Sequence, residues 1–203
     1  LPVYSTIQER GQQTKALSQA KQVGLGLKLY ASDYGGVYPT DNSTDPETGG
    51  DAGAVGDSNA ALRLTVPGYV PSENVFYVAG SAFCNASEPD EDVDGASRLE
   101  AGENHWAYVK GLKETSNPRI PLLADGMANT NGTWSETEGT PGALWKGRKA
   151  IVIRVDQSGA IENTNSSFQV VGPRANGTAG NIFEMASWNV DTTAVSVLNP
   201  LTP

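Results

Sequence analysis

The sequence predicts an α+β fold in which one long N-terminal α-helix packs on a small antiparallel β-sheet with long loops, all in one domain of 203 residues. Three observations predict it. Apolar or small residues recur at Ala16, Ala20, Val23, Leu27, Tyr30 and Tyr34, at steps of three and four, and draw a stripe along a helix. Short runs rich in β-branched and aromatic residues, clearest over 150–155, read as strands. Between them, 23 glycines and 12 prolines among many Asn, Ser and Thr residues supply turn and loop chemistry.

The helix is expected over residues 1–34. Gly35 and Gly36 can take the left-handed conformation that ends a helix, and Pro39 prevents a restart. At about 1.5 Å per residue it reaches roughly 50 Å, longer than a domain of this size is wide. Before Ala16 the stripe thins to Tyr4, Ile7, Gly11 and Thr14, set among Gln8, Glu9, Arg10, Gln12 and Gln13. The first half therefore has little to bury on its own domain and projects, and these four residues are its expected subunit-packing positions. Gly24 and Gly26 each cost about 1 kcal/mol against Ala, so packing must hold the helix, and both allow another element to come close.

Residues 35–74 read as a loop with a short helix over 59–65, capped by Asp57 or Ser58 and closed by Pro67-Gly68. Residues 75–203 read as sheet and loops. Strands are expected over 75–79, 105–110, 120–124 and 150–155. A turn at Asp156-Gln157-Ser158-Gly159, with the glycine supplying positive φ, leads into a partner strand at Ala160 and Ile161. Residues 168–171, 182–188 and 193–198 are further strand candidates.

Composition excludes some functions. Fourteen basic against 23 acidic residues give a net charge of -9, and no Lys or Arg follows Arg174, so nucleic acid is not an expected partner. Cys84 is the only cysteine, which rules out a disulfide within the chain. With no apolar run of eighteen residues, the chain as given is expected to be soluble. It begins on Leu1-Pro2-Val3, inside the expected helix, which suggests an upstream part.

The run from Lys21 to Pro39, KQVGLGLKLYASDYGGVYP, resembles the end of the long N-terminal helix of type IV pilins and type II secretion pseudopilins. The pattern rests on Tyr30, Asp33, Gly36, Tyr38 and Pro39. Downstream, His105-Trp106-Ala107-Tyr108-Val109, Gly111-Leu112, Asn117-Pro118, Pro121-Leu122-Leu123-Ala124-Asp125 and the hairpin over 151–161 resemble the sheet of such proteins. The family's cleavage motif, its membrane half of the helix and the cysteine pair of many pilins are absent from this chain. The resemblance implies a pilin-like fold and a structural, non-enzymatic subunit that assembles with copies of itself or other pilin-like subunits. It also implies membrane anchorage through an upstream segment and an extracytoplasmic place, on a surface fibre or in the periplasm, with adhesion or secretion as the role. The helix alone supports the same reading, because a projecting helix that packs head to tail on its copies generates a filament.

Asp90, Asp92 and Asp94, followed by Gly95, have the D-x-D-x-D-G spacing that converges alternate carboxylates on Ca²⁺. The twelfth position is Ala101 rather than Glu, so a solvated acidic loop is the competing reading. His105 is the only histidine, and neither it nor Cys84 lies in a catalytic signature. Trp134, Trp145 and Trp188 could stack on surface or host glycans or pack in the core. Sequons at Asn42, Asn85, Asn131, Asn165 and Asn176 follow from composition. The leading expectation is thus a fibre subunit, with no catalytic residue and no cofactor except, as one reading, Ca²⁺. The alternative is an extracellular carbohydrate- or calcium-binding adhesion module, and an acid hydrolase comes last.

Overall fold

Helix α1 spans Pro2–Asp33 in a computed structural model that describes residues 2–203, with side chains from Thr6 onward. Ala16, Ala20, Val23, Leu27 and Tyr30 are all buried. Burying Val23, Leu27 and Tyr30 stabilises by about 2 kcal/mol each, more than the two internal glycines cost. Gly24 lies against Ile153 and Gln157, and Gly26 against Val70, where an added Cβ would come within 2.4 Å of the valine Cγ2. The end of the helix is closed by Gly36, whose N–H donates to Ala31 O at 2.7 Å, with Gly35 at φ +69 and Gly36 at φ +77.

After a loop of turns comes α2, Ser58–Leu62, capped by Asp57, whose carboxylate accepts from Ala60 N at 2.8 Å, and continued by a 3₁₀ turn at Arg63–Thr65. The sheet follows: β1 Trp106–Lys110, β2 Pro121–Asp125, β3 Lys149–Arg154 and β4 Gly159–Asn163. Strands β5 (Val171–Pro173) and β6 (Ala179–Asn181) form a separate hairpin, and β7 (Ser196–Leu198) returns to the edge beside β1. The main sheet has the order β4-β3-β2-β1-β7, antiparallel throughout, with Trp106 opposite Asp125, Tyr108 opposite both Leu123 and Leu198, and Ile151 opposite Ile161.

The predicted small sheet is corrected by this arrangement. Seven strands in two sheets make the five-stranded sheet the dominant element of an α+β layout, with α1 as the one long helix among the described residues. Its extent was hidden because β7 pairs with a strand far earlier in the chain, and three-residue strands carry no readable alternation. Along β1 to β3 nearly every residue is buried, on both faces. Ile153 faces Gly24 of α1, so Ala150 and Val152 point the other way. Trp134, Trp145, Ile182, Phe183 and Trp188, from the connections 126–148 and 164–195, join the same core.

Four local expectations also fail. Residues 75–79 are not a strand but follow a 3₁₀ turn at Glu73–Val75. Their backbone acceptors are used elsewhere: the Gln19 amide donates to Tyr77 O, Trp106 Nε1 to Val75 O, and His105 N to Phe76 O. Residues 182–188 hold a 3₁₀ turn, Met185–Trp188. Of 168–171, Phe168 stands at φ +57 outside any strand, Gln169 and Val170 form only single bridges, and Val171 alone belongs to a strand, β5. In the β3–β4 turn the left-handed residue is Gln157 at φ +66, while Gly159 is needed because a Cβ there would lie 2.5 Å from Ile153 Cδ1. No helix among the described residues is long and apolar enough to cross a membrane.

Candidate functional site

Two stripes, not one, run along α1. At about 100° per residue, Thr14 lies roughly 160° around the axis from Ala16, so Ile7, Gly11 and Thr14 do not continue the buried stripe. They continue instead into Ser18, Gln22, Leu25 and Leu29, all exposed and all on the side facing away from the sheet. Ile7 is 62% exposed, Leu25 55% and Leu29 45%. Nothing lies within 4 Å of where a Gly11 Cβ would be. Residues 6–11 are all exposed, so this end of the helix stands clear of the globule, and Gln13 is its first buried side chain. The side chain of Tyr4 lies outside the described residues. Where the helix leaves the globule, a cleft of about 350 Å³ is lined by Gln12, Lys15 and Gln19 on one side and Asn74, Tyr77 and Glu88 on the other.

The helix-end residues of the family resemblance form a built corner. Tyr30 OH donates to Thr44 O at 2.7 Å, and its ring stacks on Tyr34 at 4.5 Å and meets Tyr69 edge-on at 5.8 Å. Asp33 accepts from Tyr69 OH at 2.7 Å. Gly36 O accepts from Glu114 N at 2.8 Å, Tyr38 is fully buried, and Pro39 O accepts from Tyr108 OH at 2.7 Å. Together these contacts aim the helix relative to β1 and its following loop.

The acidic loop behaves otherwise than its motif suggests. Asp90 Oδ1 accepts from Asp92 N at 2.8 Å, and Asp92 Oδ1 from Asp94 N at 3.3 Å, so these carboxylates brace their own backbone. Asp92 and Asp94 are exposed and join no cluster of three acidic groups among the described residues. Asp90 instead meets Glu73 and Glu103, with one oxygen of each within 4.8 Å of the others. Glu73 is fully buried; one oxygen accepts from Leu99 N and the other has no hydrogen-bond partner. Burial, with Glu103, Asp90 and Glu91 nearby, pushes its carboxyl up to about 7. Burial also raises the carboxyl of Glu103, although Glu100 N donates to it at 2.6 Å. Glu73 escaped the sequence reading because it stands alone beside an apolar run, well before the motif in the chain, whereas Glu103 lies in the same acidic loop but off the register that the motif requires of its last ligand.

His105 lies in a buried relay: Ser81 OH donates to its Nδ1 at 2.7 Å, and its Nε2 donates to Asp125 at 2.7 Å. The second Asp125 oxygen accepts from Trp145 Nε1 at 2.9 Å and Ile151 N at 2.6 Å. These are the residue types of an acyl-transfer triad, but all three are buried and the cleft beside α1 is lined by other residues. The relay ties β1, β2 and β3 together. Burial pushes the Cys84 thiol up to about 11, leaving it protonated and a poor nucleophile at neutral pH. Trp106, Trp134, Trp145 and Trp188 are all buried, so none offers a face to a sugar.

The features that face solvent are therefore a helix with an unpartnered outer face and an acidic loop reaching toward a buried carboxylate. No protein-family model matches this chain, nor does any curated protein or solved structure with which it was compared.

Proposed function

We propose that this chain is a structural subunit of a type IV pilus-like or type II secretion pseudopilus-like fibre, assembling through its N-terminal helix with copies of itself or related subunits. The observation that carries the reading is the outer stripe of α1, Ile7, Gly11, Thr14, Ser18, Leu25 and Leu29, which runs opposite the sheet and continues beyond the globule. Large apolar side chains at the two ends of the stripe, with Gly11, Thr14, Ser18 and the polar Gln22 between them, offer knobs and a shallow gap for a second helix. The residues from Lys21 to Pro39 that resemble the pilin helix end add support, since they form the corner that holds the helix at a fixed angle. The reading asks no catalysis of the chain and puts it outside the cytoplasm, anchored in a membrane by a segment upstream before assembly. Adhesion or secretion is the role of the fibre.

Immunogold labelling with antibodies to this chain is expected to decorate surface or periplasmic fibres in the organism that makes it. Ile7→Asp is expected to abolish those fibres while changing the stability of the purified chain by no more than about 0.5 kcal/mol, as surface substitutions do. Fibres that persist with Ile7→Asp, Leu25→Asp and Leu29→Asp combined would refute assembly through this face.

A further inference from the structure

We propose that Glu73, Asp90 and Glu103 form a calcium site that fastens the acidic loop to the base of α1. The proposal is independent of the fibre reading. One oxygen from each carboxylate lies within 4.8 Å of the others, close enough for one cation with Ca–O bonds of about 2.4 Å to touch all three, and the flexible coordination of Ca²⁺ suits two buried carboxylates and one exposed one better than the strict octahedron of Mg²⁺ does. The second and independent observation is the orphaned oxygen of Glu73. It belongs to a fully buried side chain of the cluster and has no donor within reach. A buried carboxylate oxygen left in that state is costly unless a cation meets it.

Nothing in the protein supplies that charge. None of the three carboxylates forms an ion pair with Lys or Arg among the described residues. Arg98, from the same loop, turns instead to Asp45 and Glu47. Glu91, the other nearby acidic group, accepts from Ser72 OH at 2.8 Å and from the Asn74 side chain. An all-carboxylate set without His or Cys selects a hard cation over zinc. Glu73 and Glu103 are held by backbone N–H donors, and Asp90, on the exposed loop, gives the ion its way in. Glu73 also opens the 3₁₀ turn whose Asn74 carbonyl receives the Gln19 amide at 2.8 Å, so a bound ion would link the loop to α1 where the helix leaves the globule.

The test uses the whole chain, stripped with a chelator and titrated with CaCl₂ by calorimetry, with thermal unfolding in parallel. One ion per chain is expected, with a rise in Tm of about 5 °C at roughly 1 mM Ca²⁺ and a smaller rise with Mg²⁺. Asp90→Asn, a change on an exposed side chain, is expected to keep the fold and weaken the affinity by about ten-fold or more. Asp92→Asn is expected to bind as the parent does. No heat and no Tm shift in the parent chain would overturn the proposal. An undiminished response in Asp90→Asn, or a lost one in Asp92→Asn, would also overturn it, because the ion would then sit elsewhere.

Discussion

Arg98 joins segments that share no regular structure. Its Nη2 lies 2.6 Å from Asp45 Oδ2, its Nη1 donates to Asp45 Oδ1 at 3.0 Å and to Val66 O at 3.2 Å, and its Nε lies 2.8 Å from both Gly95 O and Glu47 Oε2. The guanidinium is buried, so removing the Asp45 charge leaves only the partly exposed Glu47 against it, and Asp45→Asn is expected to destabilise by about 2 kcal/mol at neutral pH. The sign of the pH dependence follows from the pair. Hydrogen bonding to Arg98 holds the Asp45 carboxyl below its ordinary value of 3.8, so near that pH the unfolded chain binds more protons than the folded one. The stabilisation is present above 3.8 and is lost as pH falls through the lower folded value. Urea melts of the parent and Asp45→Asn across this range are expected to converge at the acid end, and a gap independent of pH would contradict the assignment. Nothing in the sequence near Arg98 marks this role, since its partners come from the separate loop 40–57.

At the scale of the element, α1 was the most legible part of the chain and still misled in one respect. Its extent, its stop and the buried stripe from Ala16 to Tyr30 follow from periodicity and from Gly35-Gly36. The phase of its first half did not, because Tyr4, Ile7, Gly11 and Thr14 also fall at steps of three and four and pass for a continuation until the angle from Thr14 to Ala16 is counted. The glycines separate two cases. Gly26→Ala would place a methyl against buried Val70 and is expected to destabilise by about 1–2 kcal/mol despite the better helix propensity of Ala. Gly11→Ala meets nothing and is expected to raise helicity and leave the globule's stability unchanged or slightly higher. Circular dichroism with thermal melts checks both, and a stabilised Gly26→Ala would show that the Val70 contact yields freely.

At the scale of the whole molecule, the outer helix face carries three large exposed apolar side chains, well short of the roughly 800 Å² per partner that a stable dimer buries. The chain by itself is therefore expected to sediment as a monomer or weak dimer, and in the proposed fibre repetition would supply the strength that one contact lacks. A tight, large oligomer of the isolated chain would count against this. The central strands could be read because 150–155 alternates and 105–110 and 120–124 are apolar. The full sheet could not, since β7 reaches β1 only after the intervening chain has crossed the molecule, and residues 75–79, strand-like in composition, spend their carbonyls on Gln19, Trp106 and His105.

The local pattern of the chain by itself determined what depends on near neighbours: a long helix with a glycine stop, a hairpin at 151–161, and a net acidic charge. Only tertiary structure decided that the five-stranded sheet dominates, which helix face stays bare, and that Asp90 meets Glu73 and Glu103 rather than Asp92 and Asp94. The reason is physical. Periodicity reports how a residue stands to those within a turn or two, while sheet extent and carboxylate clusters are set by groups that meet only when distant segments pack.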